Sequence, residues 1–157
     1  MKFSIRLLLA GCAFILATLA CARQTKTPDL PTDSVRDLTH DGRARQYYLH
    51  IPPSVDLTQP VALVMVFHGG GGKAQNAVRM TNFNELADEQ GFIVVYPNGT
   101  GRLEEQVLTW NGGGCCGRAM LENVDDVGFA RAILADLQTV AAIDAKARMG
   151  LQGNFQV

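Results

Sequence analysis

The stretch Val61-Ala62-Leu63-Val64-Met65-Val66-Phe67-His68-Gly69-Gly70-Gly71-Gly72 decides the fold of this chain. Its first seven residues are apolar without interruption, which is typical of a strand buried on both faces in the middle of a sheet. Four consecutive glycines follow the histidine at the end of that strand. Such a loop lets the backbone approach a ligand closely and aim successive N–H groups into one space. The stretch therefore predicts a central strand that leads into a ligand-binding loop.

The segments around this stretch alternate between strand and helix patterns. A period of two in apolar residues predicts a half-buried strand, and recurrence at three and four residues predicts an amphipathic helix. Gly91 stands where a helix C-cap glycine belongs. We therefore predict the α/β fold class, with a mostly parallel sheet flanked by helices. In chain order the predicted elements are strands at 43–51 and 61–67, a helix at 78–90, a strand at 92–96, a long glycine-rich loop to about Asn123, and a helix from Asp125.

Composition and charge exclude some classes of partner. The 157 residues are 47% apolar and 18% charged, and the formal net charge is −1. This balance offers no basic surface for nucleic acid and no acidic tail. We therefore expect no nucleic-acid partner.

The N-terminus has the pattern of an export signal. Lys2 and Arg6 precede the uncharged apolar run Leu7–Ala20, which stops at small residues. The run is short for a permanent membrane span, so we favour a signal peptide over 1–20 to a buried N-terminal helix. A polar tether is predicted over 21–40, and export outside the cell, to the periplasm or to a lipid-anchored location is expected.

The processing route of this signal has three alternatives. Thr18-Leu19-Ala20-Cys21 resembles a lipoprotein cleavage box, which makes Cys21 a candidate lipidation site and a lipid anchor the only expected membrane link. Leu9-Ala10-Gly11-Cys12 fits the box better by letter but leaves a very short apolar core. Ordinary cleavage after Ala22 stays equally open.

Cys115 and Cys116 are adjacent, and export would place them in an oxidising compartment. A disulfide across one trans peptide is strained, so we expect each cysteine to form half of a bridge to a partner outside this chain. Adjacent thiolates also do not readily surround one metal, and no metal site is predicted.

The glycine loop matches the needs of acyl-transfer chemistry. Consecutive N–H groups can stabilise the negative oxygen of a tetrahedral intermediate. A phosphate-binding Walker loop would need glycine at 67 and Ser or Thr at 74, where Phe67 and Ala74 stand. A dinucleotide fingerprint matches by letter, but no acidic residue closes the strand that ends at Tyr96. A purely structural turn is the remaining, less favoured alternative.

Four pieces of the chain stand in order: 66–72, 91–99, Trp110-Asn111 leading into Cys115-Cys116-Gly117, and 123–129. Together they resemble the secreted α/β-hydrolase esterases grouped around polyhydroxybutyrate depolymerases and feruloyl or acetylxylan esterases. The resemblance covers roughly 43–146 and implies the N-terminal portion of an α/β-hydrolase fold. It also implies an oxyanion hole at Gly69 and Gly70, supported by His68 and Gly71, ester substrates of polyester or plant-polymer type, and no cofactor.

The same resemblance implies a serine in a Gly-x-Ser-x-Gly turn, followed by an Asp and a His, and these do not occur here. The serines of the chain are Ser4, Ser34 and Ser54. We divide the chain into a domain portion over 41–146 and a non-matching tail over 147–157, without an apolar strand, and interpret the tail as a truncation or a frameshift. The chain is expected to be inactive alone and to leave an apolar strand edge unpaired, with low solubility.

Asp125 and Asp126 are interpreted as capping residues of the last helix and not as catalytic acids.

Two other functions stay open at this point. A non-catalytic exported module that binds a polymer or carbohydrate is the alternative to a serine esterase. A peptidase relative of the same fold is the third.

Overall fold

A computed structural model describes residues 30–101 and 106–152, and the side chains of 145 and 147–152 are not described. Its strands form one sheet, and helices pack against both faces of that sheet. The strands are β1 (Asp33–His40), β2 (Arg43–His50), β3 (Val61–Phe67), β4 (Ile93–Pro97) and β5 (Ile143–Gln152), and the helices are α1 (Ala74–Thr81), α2 (Phe83–Gln90), α3 (Gly117–Leu121) and α4 (Asp126–Leu137).

The sheet has the order β1-β2-β4-β3-β5. β3 pairs in parallel with both β4 and β5, whereas β2 pairs antiparallel with β1 and β4. Only β2 of these five strands therefore runs against the others. The predicted α/β class is confirmed, and the sheet is mixed because the β1–β2 hairpin supplies the antiparallel pairs.

Alternate side chains of β3 enter two separate cores, as its unbroken apolar sequence predicts. Val61 and Leu63 pack in the core that contains Phe129 and Ile133 of α4. The core on the opposite side of the sheet includes Val64 and Val66 of β3, Ala74 and Ala77 of α1, and Ala87 of α2. β3 is thus covered on both faces, and the loop that follows it begins from a fixed position.

The predicted helix over 78–90 is two helices. α1 and α2 meet at Asn82, whose φ of 51° lies in the left-handed region. Asparagine tolerates this conformation better than most residues. The helical pattern of apolar residues therefore continues across the point where one helix ends and the next begins. The predicted C-cap is confirmed, because Gly91 has φ 73° and its N–H donates to the carbonyl of Ala87.

The prediction of a polar tether through residue 40 is wrong for Asp33–His40, which forms β1. This strand pairs with β2 along its whole length. The charged side chains of β1 concealed its period of two in the sequence. They nevertheless stabilise the strand, because Arg36 donates to both carboxylate oxygens of Asp136 on α4, at 2.8 and 3.1 Å. A bidentate pair of this kind fixes the edge strand against the helix.

The prediction that no strand follows Lys146 is also wrong. β5 continues to Gln152, which pairs with Phe67 at the end of β3. The sequence of β5 alternates apolar and polar residues, but alanine and glycine have low strand propensity and weaken that signal. Since β3 is paired on both sides and β4 lies between β2 and β3, the predicted unpaired edge on β3 or β4 does not occur.

Several predictions lie outside the described residues: the signal peptide over 1–20, lipidation at Cys21, the first part of the tether, and the end of the tail. Within 30–101 and 106–152, no helix combines the length and apolar character needed to cross a membrane.

Candidate functional site

The glycine loop, residues 68–72, lies where three parallel strands end. β3 ends at Phe67, and β4 ends at Pro97 on the neighbouring position of the sheet. β5 reaches Gln152, level with Phe67. In open α/β sheets ligands bind outside the carboxyl ends of the strands, so the loop occupies the expected edge.

The N–H groups of the four glycines in the loop form two pairs that differ in their hydrogen bonds. Gly71 donates to the carbonyl of Leu108 at 2.8 Å, and Gly72 donates to Gly69 at 3.0 Å. Gly71 has φ 79°, a conformation that favours glycine. Among the residues that the structure describes, the N–H groups of Gly69 and Gly70 have no hydrogen-bond acceptor. The two glycines predicted as oxyanion donors are therefore the two whose N–H groups form no hydrogen bond within the part of the chain that the structure describes.

His68 is 2% exposed, and both of its ring nitrogens are occupied. Nε2 accepts a hydrogen bond from the backbone N–H of Gly99 at 3.0 Å. The proton must then sit on Nδ1, which lies 2.8 Å from the carbonyl of Gly69 and donates to it. Burial lowers the pKa of His68 below its usual 6.5, partly opposed by the bond to Gly69. A neutral ring with both nitrogens engaged holds the loop and has no nitrogen left to act as a base.

Trp110 packs against His68. Its indole N–H donates to the His68 carbonyl at 2.9 Å, a bond that is buried. The indole ring lies 4.9 Å from the His68 ring and meets Phe67 edge to face at 5.2 Å. Trp110 is the single tryptophan of the chain, and sequence reasoning quoted it only as part of a motif.

Arg45 and Asp126 form a buried ion pair near this edge, with side chains 3% and 10% exposed. Arg45 Nη2 lies 2.8 Å from Asp126 Oδ1 and 3.2 Å from the carbonyl of Asn98, and the guanidinium stacks 3.9 Å over the Phe129 ring. Burial lowers the pKa of Arg45 and the Asp126 bond opposes this, although an arginine stays charged. Sequence reasoning missed Arg45, although its alternation with Tyr47 and Leu49 places it on the buried face of β2.

The two aspartates at the start of α4 have different roles. Asp125 is the N-cap, and its Oδ1 accepts from the N–H of Gly128 at 2.8 Å, as predicted. Asp126 lies in the first turn but binds Arg45 and the backbone N–H of Asn111 at 2.7 Å. Asp126 therefore lies in the first turn, as predicted from the helix dipole, but the interpretation of its side chain as a cap is wrong, because its carboxylate joins two other segments.

Cys115 and Cys116 are bonded to each other. The prediction that each one pairs with a cysteine outside the chain is therefore wrong. Among the described residues, no group of three His, Cys, Asp or Glu side chains could hold a metal ion.

A cavity of about 370 Å³ opens beside the glycine loop. The loop and Phe67 form one side of it, and α1 forms the other with Ala77 and Met80. Met80 is 78% exposed, so the mouth of the cavity carries an accessible apolar side chain. The cavity can therefore receive an apolar group beside Gly69 and Gly70.

The described serines lie away from the glycine loop. Ser34 is on β1, three positions from β3, and Ser54 follows the end of β2 that lies level with the amino end of β4. The structure thus contains the candidate oxyanion loop and places neither serine on the strands beside it.

The sheet, the covering helices and the strand-end loop define a class of α/β fold that is shared with solved hydrolases. The S-formylglutathione hydrolase from Agrobacterium tumefaciens superposes on 78% of this chain with a TM-score of 0.52 and 12% sequence identity. No known family model matches the chain.

Curated relatives are esterases. A putative esterase NocK from Nocardia uniformis subsp. tsuyamanensis is 31% identical over 121 residues, which is 72% of this chain and 31% of that protein. Feruloyl esterase B from Thermothelomyces thermophilus is 36% identical over 53 residues, 34% of this chain and 18% of that enzyme. The predicted resemblance to esterases is confirmed. The chain spans less than a third of the length of these relatives and 48% of the Agrobacterium hydrolase.

Proposed function

We propose that the glycine loop is the oxyanion hole of an exported serine carboxylic ester hydrolase, of the type that includes polyhydroxybutyrate depolymerases and feruloyl esterases. The observation that carries this proposal is the division of the loop's N–H groups. Gly71 and Gly72 use theirs within the fold, whereas Gly69 and Gly70 have no acceptor among the described residues. Preorganised donors of this kind stabilise the charge that develops on an ester carbonyl during attack.

In the whole enzyme, a serine would attack the ester carbonyl, with a histidine as base and an aspartate to orient it, through an acyl-enzyme. In α/β hydrolases that serine follows a central strand. β5 is parallel to β3 and ends level with Phe67, so a nucleophile after such a strand would lie beside the glycine loop. His68 takes no part in proton transfer, because its two nitrogens bind Gly69 and Gly99.

The 157-residue chain alone is proposed to be inactive. Its serines are Ser4, Ser34 and Ser54, and the two described ones lie away from the glycine loop. An oxyanion hole without a nucleophile leaves only a small residual rate over water.

The substrate is proposed to be an ester of a polyester or of a plant polymer. The apolar wall formed by Phe67, Ala77 and Met80 suits an apolar acyl group next to the oxyanion donors. The name of feruloyl esterase B is consistent with an ester whose acid part is aromatic.

Export is proposed from the signal-like N-terminus, with or without lipid on Cys21. The Cys115–Cys116 disulfide supports this location, since such bonds persist mainly in oxidising compartments.

Methylphosphonate, a small tetrahedral oxyanion, tests the oxyanion hole without requiring catalysis. In the 157-residue chain, its titration should shift the amide NMR signals of Gly69 and Gly70 and leave those of Gly71 and Gly72 little changed. The same sample should release no p-nitrophenol from p-nitrophenyl butyrate above the buffer rate. Equal shifts at all four glycines, or none, would remove the oxyanion assignment, and measurable turnover would remove the proposed inactivity. Binding to polyester particles with no methylphosphonate effect would favour a non-catalytic binding module.

A further inference from the structure

Two separate segments hold His68, and each is fixed by one member of the Arg45–Asp126 ion pair. Gly99 contacts the His68 ring, and Trp110 contacts the His68 carbonyl. One residue before Gly99, the Asn98 carbonyl accepts from Arg45. One residue after Trp110, the N–H of Asn111 donates to Asp126. The 2.8 Å bond between Arg45 and Asp126 joins the two segments.

Asn98 extends this arrangement to the far end of the glycine loop. Its side-chain oxygen accepts from the N–H of Ala74, the first residue of α1, at 2.7 Å. The residues on both sides of the glycines are therefore connected to Asn98: His68 through Gly99, and Ala74 directly.

We propose that Arg45 and Asp126 are positioning residues that fix the glycine loop in the conformation required of an oxyanion hole. They touch neither the predicted oxyanion donors nor the cavity beside the glycine loop, and act through Asn98, Asn111 and the residues next to them. This inference rests on the proposed function, since it assigns a purpose to the conformation that the pair holds. Small displacements of oxyanion donors cost large factors in rate, which gives such a pair its value.

A charged pair suits this role better than a neutral one. Asp126 accepts from Arg45 at one oxygen and from Asn111 at the other. An amide of the same shape offers a single oxygen acceptor and would face one donor with an NH2 group. The Arg45 plane is also fixed on its face by the Phe129 ring, so Nη2 reaches both Asp126 and the Asn98 carbonyl.

The Asp126→Asn variant of the 157-residue chain tests this with His68 as the reporter, because the sign of its pKa change separates two roles. The Asp126 charge itself raises the pKa of His68, whereas burial lowers it. If Asp126 acted by charge alone, the variant would lower that pKa further and leave the proton on Nδ1. If Asp126 positions the loop, the ring becomes exposed, its pKa rises toward 6.5, and the Nδ1–H tautomer is no longer dominant.

We expect the second result, measured by ¹⁵N NMR of the imidazole across a pH titration. The amide of Gly71 should also exchange with solvent about tenfold faster or more, the effect of losing one charge-assisted hydrogen bond. Asp136→Asn is the matched control: Asp136 lies on the same helix and accepts from Arg36 and Tyr47, remote from the glycine loop. It should leave the His68 signals unchanged.

A double variant keeps the test decisive if Asp126→Asn does not fold. Replacement of a buried ion pair by apolar residues of similar volume often preserves stability, so Arg45→Met with Asp126→Leu should fold without holding Asn98 and Asn111. His68 should again lose its single tautomer. An unchanged His68 tautomer in either folded variant, or a lowered pKa, overturns the positioning role. Because methylphosphonate binding is measured separately, a failed oxyanion assignment leaves this result interpretable.

Discussion

Replacing Trp110 with Phe would test how much the aromatic cover stabilises the glycine loop. The change removes the indole N–H that donates to the His68 carbonyl and leaves that carbonyl buried. An unsatisfied buried acceptor costs about 1–3 kcal/mol, and the lost ring volume adds roughly 1 kcal/mol as a cavity. Phenylalanine retains part of the edge-to-face contact with Phe67. We expect the free energy of unfolding to fall by about 2–4 kcal/mol.

Urea denaturation followed by circular dichroism measures this loss, since the variant has no tryptophan left for fluorescence. With a denaturant slope of about 2 kcal/mol/M, the midpoint should fall by roughly 1–2 M. Tyr96→Phe serves as the control: it removes one buried hydroxyl bond to Asn84 in the other core, and it should leave the His68 tautomer unchanged. A Trp110→Phe loss below about 1 kcal/mol, or an unmoved His68 tautomer, would refute the view that this indole holds the loop.

Three further predictions concern single groups. The first concerns His68, whose pKa is depressed in the folded chain. The contribution of this neutral ring to stability is therefore complete above pH 6.5 and is lost as the pH falls below that value. Urea midpoints should decline from pH 7 to 5, and His68→Gln should flatten the decline. Gly99→Ala should lower the thermal midpoint and broaden the His68 ring signals, because a Cβ there would lie 2.5 Å from the Thr109 carbonyl oxygen, whereas an alanine at Gly70 meets no atom within 4 Å. Gly91→Ala should cost about 1 kcal/mol of unfolding free energy in a urea titration, since alanine is strained at φ 73°, and an unchanged midpoint would mean that the cap relaxes without penalty.

The buried strands and the last helix could be predicted because their patterns are strong and local. Val61–Phe67 is apolar at every position and the strand has the predicted bounds. Gly91 and Asp125 are cap residues whose chemistry is nearly independent of the rest of the fold. β5 was missed because two of its apolar positions are alanines and one alternate position is glycine, residues whose low strand propensity is overridden here by pairing with β3.

The candidate site was predictable only in part. The glycine loop is contiguous, so its chemistry is visible in the sequence, and so is the histidine beside it, which was predicted to support the loop. Arg45 and Asp126 are 81 positions apart, and no local pattern indicates that they meet. The Cys115–Cys116 bond joins neighbouring residues, a pairing that residue spacing alone does not indicate.

The contacts around His68 also have a consequence for the order of assembly during synthesis. Each of the hydrogen bonds that hold its ring, its carbonyl and the two supporting segments joins residues between 45 and 126. A chain emerges from the ribosome from its N-terminus, and N-terminal parts fold first. The groups that shape the glycine loop therefore all precede β5 in the order of synthesis. The glycine loop and its supports are thus encoded within one continuous stretch of the chain that excludes β5.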